Sequence, residues 1–136
     1  QLCRYEGDEL KCGDPASACR YLKEAIEADV NGSLRGRAHF NLGLLLETQV
    51  QDYDGARDAY RQATDANPDN PEAHVALARL LKRHFGNYEG ALDAYRRAID
   101  ADPGNAKYKE IHEEAREEAD LWLPLRIERA ADSTDV

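Results

Sequence analysis

Apolar residues recur three and four positions apart through most of this chain, the spacing that gathers side chains on one face of a helix. Ala38, Leu42, Leu45 and Leu46 form one such set, and Ala73, Leu77, Leu80 and Leu81 another. Narrower stripes follow each: Ala56, Tyr60 and Ala63, then Ala91, Tyr95 and Ala98. The pattern predicts helices over 36–49, 53–66, 71–85 and 88–101. Polar residues punctuate them. Asn70 stands before Pro71, which can open a helix because its missing N–H has no intrahelical partner there. Asp52 and Asn87 can cap the second helix of each pair, and Pro68 and Pro103 stop those helices. About seven helices and no sheet are expected over the whole chain.

The same residues repeat. Residues 36–70 lie over 71–105 without a gap, a shift of about 35 residues, the range in which stacked two-helix units repeat. Ala38 falls on Ala73, His39 on His74, Leu42 on Leu77, Tyr60 on Tyr95, Ala63 on Ala98, Pro68 on Pro103 and Asn70 on Asn105.

This unit resembles the tetratricopeptide repeat. Leu42-Gly43 matches the family's Leu-Gly pair in the first helix, and Leu77-Ala78 is its small-for-small counterpart. Asp52-Tyr53 and Asn87-Tyr88 match the turn between helices. Ala56, Tyr60, Ala63 and Pro68 match the alanine, aromatic, alanine and closing proline of the second helix, as do Ala91, Tyr95, Ala98 and Pro103. His39 and His74 stand where the family often has Trp, and the extra residue of each unit lies before the turn. The resemblance implies an all-α fold: an α-solenoid of about three stacked helix-turn-helix repeats with a C-terminal capping helix.

The expected organisation is a degenerate or truncated first unit over 1–35, full repeats over 36–70 and 71–105, a capping helix over 106–123 and a tail over 124–136. In the first unit, Ala18, Leu22, Ala25 and Ala28 align with Ala56, Tyr60, Ala63 and Ala66. Residues 1–11 would be its first helix, although Gly7 weakens it. In the capping helix, Tyr108, Ile111, Ala115, Ala119 and Trp122 form the apolar stripe, opposite Glu113, Glu114, Glu117 and Glu118. Pro124 ends or kinks it. The start at Gln1 and the degenerate first unit point to a fragment of a longer protein.

Charge narrows the partners. Lys and Arg number 18 against 27 Asp and Glu, a formal charge of -9. A nucleic-acid binder needs cations to displace counterions from phosphate, so neither nucleic acid nor an anionic membrane is an expected partner. No apolar run approaches the roughly 18 residues of a spanning helix. Cys3, Cys12 and Cys19 lack metal-ligand or disulfide-framework spacing, and read as reduced thiols in a cytoplasmic protein. A disulfide across a helical hairpin is the alternative.

No catalytic constellation is visible, and neither a metal nor a cofactor is expected. His39 and His74 recur with the repeat, which favours packing between helices over metal ligation; His84 and His112 read as surface residues. The resemblance places the first helices on a concave groove. Its facing positions are Arg37, Phe40, Asn41, Leu44 and Thr48, then Glu72, Val75, Ala76, Arg79 and Arg83, then Lys107, Glu110, Ile111 and Glu114. Some family members clamp the C-terminal carboxylates of heat-shock chaperones. Asn41 fits one place in that clamp, but Ala76 and Ile111 stand at others and the leading Lys-Asn pair is missing. The expected function is a non-enzymatic scaffold that binds a protein or peptide segment, through Arg37, Phe40, Asn41, Leu44, Arg79, Lys82, Arg83 and Lys107. Arg79, Lys82 and Arg83 are basic within an acidic chain and suit acidic residues of the ligand. The alternative is an architectural or self-associating segment of a longer repeat protein. The end, Thr134-Asp135-Val136, also has the pattern of a PDZ-domain ligand.

Overall fold

The computed structural model describes residues 4–6, 9–11, 13–29, 32 and 34–134; at 4, 5, 9–11, 123 and 125–134 only the course of the backbone is described. Cys3, Cys12 and the last two residues of the candidate PDZ-ligand end lie outside the described residues.

Helices dominate. α1 spans Pro15–Ala28, α2 Arg35–Leu45, α3 Tyr53–Ala66, α4 Pro71–Phe85, α5 Tyr88–Ala101 and α6 Ala106–Thr134. Each packs on the next in sequence, α1 on α2 through α5 on α6, which is the neighbour-on-neighbour order of a solenoid. The capping residues act as their chemistry suggests. Asp52 accepts from the Gly55 N–H at 3.0 Å, Asn87 from Gly90 at 2.9 Å and Asn70 from Glu72 at 3.2 Å. In α1 the aligned residue, Asp14, accepts from the Ser17 N–H at 2.8 Å.

The core is thin and built on alanine. Ala56, Ala63, Ala73, Ala78, Ala91 and Ala98 are all buried, and small side chains let neighbouring helices approach closely. Tyr60, Leu22 and Leu80 are the largest fully buried side chains. Gly43 shows how tight the contact is: a Cβ there would meet the Tyr60 ring at 2.5 Å, so only glycine fits. His74 is buried, its Nε2 2.8 Å from the Pro68 carbonyl oxygen. His39 is half-buried, and burial, reinforced by the charge of Arg35, pulls its pKa below the ordinary histidine value.

The extra residue of each unit is absorbed at the end of the first helix. After α2 the chain widens into a π-helical turn, Leu46–Val50, and the amides of Gln51 and Asp52 both donate to the Leu46 carbonyl. After α4 the amides of Gly86 and Asn87 both donate to the Leu81 carbonyl. Both exits need a left-handed residue. Gly86 supplies it at φ 60°, whereas Gln51 adopts φ 61° with a side chain that disfavours it.

Three expectations need correction. The described residues of 1–11 do not form the expected first helix. A two-stranded antiparallel hairpin, β1 Arg4–Glu6 and β2 Glu9–Lys11, stands there, with Tyr5 opposite Leu10. Secondly, Pro124 does not end the last helix; α6 continues to Thr134. Proline removes the N–H that would serve the Asp120 carbonyl, but Asp120 and Pro124 are exposed, so water can take its place. Thirdly, Tyr108, Ile111, Ala115 and Ala119 turn toward the stack, but Trp122 is 50% exposed and Leu121 70%.

The repeat alignment also explains how α6 finishes the stack. Leu42, Gly43 and Leu46, like Leu77, Ala78 and Leu81, are buried against the second helix of their pair. The aligned residues of α6 are His112, Glu113 and Arg116, and the last two are exposed and ion-paired at 3.8 Å. That face is polar where a following helix would need an apolar one. His112, expected at the surface, is half-buried with Nε2 unpartnered.

Candidate functional site

A side-chain contact links the first helices α4 and α6. Lys82 of α4 reaches Glu118 of α6, with Nζ 3.2 Å from Oε1. The Tyr60 phenol of α3 feels the charges of both Glu47, in the π-helical turn after α2, and Arg79 of α4. Of the residues expected to bind a partner, all but Lys107 fall into two groups.

The first group lies at the start of α2. Arg37, Phe40 and Asn41 line a cleft of about 540 Å³ together with Asn67, Asn70 and Glu72. Phe40 is tilted 46° against Tyr60, ring centroids 6.0 Å apart, so its ring is held from behind by the core. Leu44 packs against the core beside it and is half-buried. The cleft thus offers an aromatic surface flanked by carboxamides that can both donate and accept.

The second group is basic. Arg79, Lys82 and Arg83 all act on the Tyr95 phenol, whose pKa is raised chiefly by burial while their charges oppose the rise. Three cations of α4 therefore lie within electrostatic reach of one phenol of α5. They are not equivalent. Lys82 is spent on Glu118. Arg83 is exposed. Arg79 is half-buried and makes no ion pair among the described residues, although its charge reaches both Tyr60 and Tyr95. Lys107, the last expected contact, is exposed in the first turn of α6 and joins neither group; its backbone N–H donates to the Asn105 side chain at 3.1 Å.

Residues that sequence reasoning did not single out complete the face. The Glu47 carboxylate and the Tyr60 hydroxyl are buried near each other. Burial raises the Tyr60 pKa well above the ordinary phenol value, Glu47 adds to the rise and Arg79 opposes it. The alternation of charge at aligned positions, Glu47 under Lys82, was the available signal. Among the described residues no group of three or more His, Cys, Asp or Glu is placed to hold a metal ion. Nor is any described helix long and apolar enough to cross a membrane.

These features define a class first: an α-solenoid of helix-turn-helix repeats. A family model for the tetratricopeptide repeat matches residues 49–106, from the turn after α2 to the start of α6. Over these residues the chain is similar to the tetratricopeptide repeat, and a repeat array of this kind supports a protein-interaction scaffold in general terms. Two solved structures share the fold. "Crystal structure of MamA" is 21% identical with a TM-score of 0.60, over 86% of this chain and 71% of that one. "Crystal structure of MamA protein" is also 21% identical with a TM-score of 0.60, over 91% of this chain and 69% of that one. No curated protein matches the chain.

Proposed function

We propose that the shared face of α2, α4 and α6 is a binding groove for an extended or helical segment carrying acidic residues, and that the chain works as a non-enzymatic scaffold. The observation that carries this reading is Arg79. A half-buried guanidinium without a carboxylate partner among the described residues is a partly desolvated charge at the middle of the face. A ligand carboxylate can meet it with paired hydrogen bonds, and such a bond is stronger there than in open water. Arg83 adds an exposed charge one turn on. The chain's net charge of -9 repels an acidic ligand elsewhere, which favours one docking position. Phe40 and the carboxamides of Asn41 and Asn67 would hold the neighbouring part of the ligand through its apolar surface and main chain.

A displayed library of random peptides tests this. Binders selected on the parent protein should be enriched in Asp and Glu, and Arg79→Glu with Arg83→Glu should lose them. Selected sequences without acidic enrichment, or retained by the double variant, would move the site off the basic cluster.

A further inference from the structure

The junction between α1 and the end of the α2 helix is hollow where its repeat-related counterpart is full. In the counterpart, between α3 and α4, Tyr53 stacks on His84 with ring centroids 3.7 Å apart and planes 13° from parallel. Beside them the Arg57 guanidinium lies 4.5 Å over the Phe85 ring. The repeat puts Pro15 and Cys19 where α3 has Tyr53 and Arg57, and Gln49 and Val50 where α4 has His84 and Phe85. All three rings and the guanidinium are lost at once. What remains is an open cleft of about 740 Å³ whose lining includes Pro15, Cys19, Leu46 and Val50. Val50 is 47% exposed, in the π-helical turn. Asp14, Glu24, Glu27 and Asp52 also border the cleft, against two bases, Arg20 and Lys23.

The other end of the stack carries the converse feature. α6 is 29 residues long against 15 in α4, an excess of about 20 Å at 1.5 Å per residue. At the positions where α4 has already ended, α6 presents Leu121 and Trp122, the former 70% and the latter 50% exposed. The sequence onward stays apolar and basic, with Leu123, Leu125 and Ile127 among Arg126 and Arg129.

We propose that the cleft at α1 receives the end of α6 from a second copy of this chain, with Trp122 supplying the ring volume that Tyr53, His84 and Phe85 supply in the next junction. A single Trp is the right chemistry: a large flat apolar body that also carries one N–H donor, here toward an acidic rim. The two surfaces are different patches of the molecule, so the contact is head-to-tail. Such contacts do not close into a dimer; they propagate into short chains unless the rotation closes a ring. This inference is independent of the groove on α4 and stands or falls separately.

Sedimentation velocity and light scattering from micromolar to millimolar protein test it. The parent should rise above its monomer mass of 15.3 kDa as concentration increases. Leu121→Ala with Trp122→Ala, both at exposed positions, should stay monomeric. So should Cys19→Arg with Val50→Phe, which rebuilds the Arg-over-Phe pair of the next junction. Val50→Glu, at an exposed residue, is the second cleft variant if that repacking fails to fold by circular dichroism. Mixing the tail variant with a cleft variant should restore association, limited to a one-to-one pair, since each brings one intact surface. A parent that stays monomeric at every concentration overturns the proposal. So does association that survives the tail substitutions, which would give the cleft to another occupant such as residues 1–12. Association lost in the tail variant but kept in both cleft variants places Trp122 elsewhere and overturns it equally.

Discussion

Gly43→Ala should destabilise this protein, against the ordinary preference of helices. In an isolated helix the change is worth about 1 kcal/mol in favour of alanine. Here the added Cβ would stand 2.5 Å from both Cδ1 and Cε1 of Tyr60 and 3.1 Å from Cζ. Nonbonded carbons rest about 3.5–4.0 Å apart, so the ring or the helix must move by about 1 Å. Tyr60 cannot yield freely: it is fully buried, with Phe40 tilted against its ring. Overpacking of this kind costs about 1–3 kcal/mol, which exceeds the propensity gain at most of its range. The expected net loss is about 1 kcal/mol, or a few degrees in Tm for a chain of this size. The aligned position in the next unit is the control. Ala78 is fully buried and its methyl group is already accommodated, so Ala78→Gly should cost about 1 kcal/mol through backbone entropy and lost packing. Thermal and urea melts of both variants decide the matter. If Gly43→Ala raised Tm while Ala78→Gly lowered it, propensity alone would govern both sites and the close approach of α2 to Tyr60 would be wrong.

Three further outcomes follow from the same structure. Gln51→Gly should raise stability by about 0.5–1 kcal/mol, because Gln51 sits at φ 61° where the equivalent Gly86 is unstrained; a lower Tm would refute the left-handed assignment. Ala98→Leu should lower stability by about 1–3 kcal/mol through overpacking at a fully buried site, and an unchanged melt would mean that α5 faces the other way. His39 bears on pH. Its folded pKa lies below the ordinary value of 6.5, so the unfolded chain takes up its proton first as pH falls and stability drops below about pH 6.5. His39→Gln should therefore lose less Tm than the parent between pH 7.5 and 5.5, and equal losses would show that His39 is not depressed.

The repeating core was legible in the sequence because its signals are local and occur twice. Ala56, Tyr60 and Ala63 mark a buried stripe, and the caps at Asp52 and Asn87 fix where α3 and α5 begin, at Tyr53 and Tyr88. Legibility failed where a local signal is missing or has two readings. Gly7 only weakens a helix, and no local signal marked the strands that formed at Arg4–Glu6 and Glu9–Lys11. Trp122 continues the period of Tyr108, Ile111, Ala115 and Ala119, yet the neighbouring helices stop short of it, so periodicity overstated its burial. Pro124 breaks a helix inside a packed core but is tolerated where solvent reaches the orphaned carbonyl. In the groove, Arg79, Lys82 and Arg83 look equivalent from the sequence. Their difference depends on Glu118, 36 residues from Lys82, which no local pattern brings to it.

The groove on α4 is tested most directly by the salt dependence of a selected acidic peptide, titrated by fluorescence anisotropy against the parent and the Arg79→Glu/Arg83→Glu variant. Surface attraction is screened beyond about 8 Å at physiological ionic strength, so the parent's affinity should fall steadily as salt rises. The double variant should bind at least tenfold more weakly at low salt while its Tm stays within a few degrees of the parent's. Equal affinity for both proteins, or binding indifferent to salt, would contradict the assignment of the basic cluster as the site.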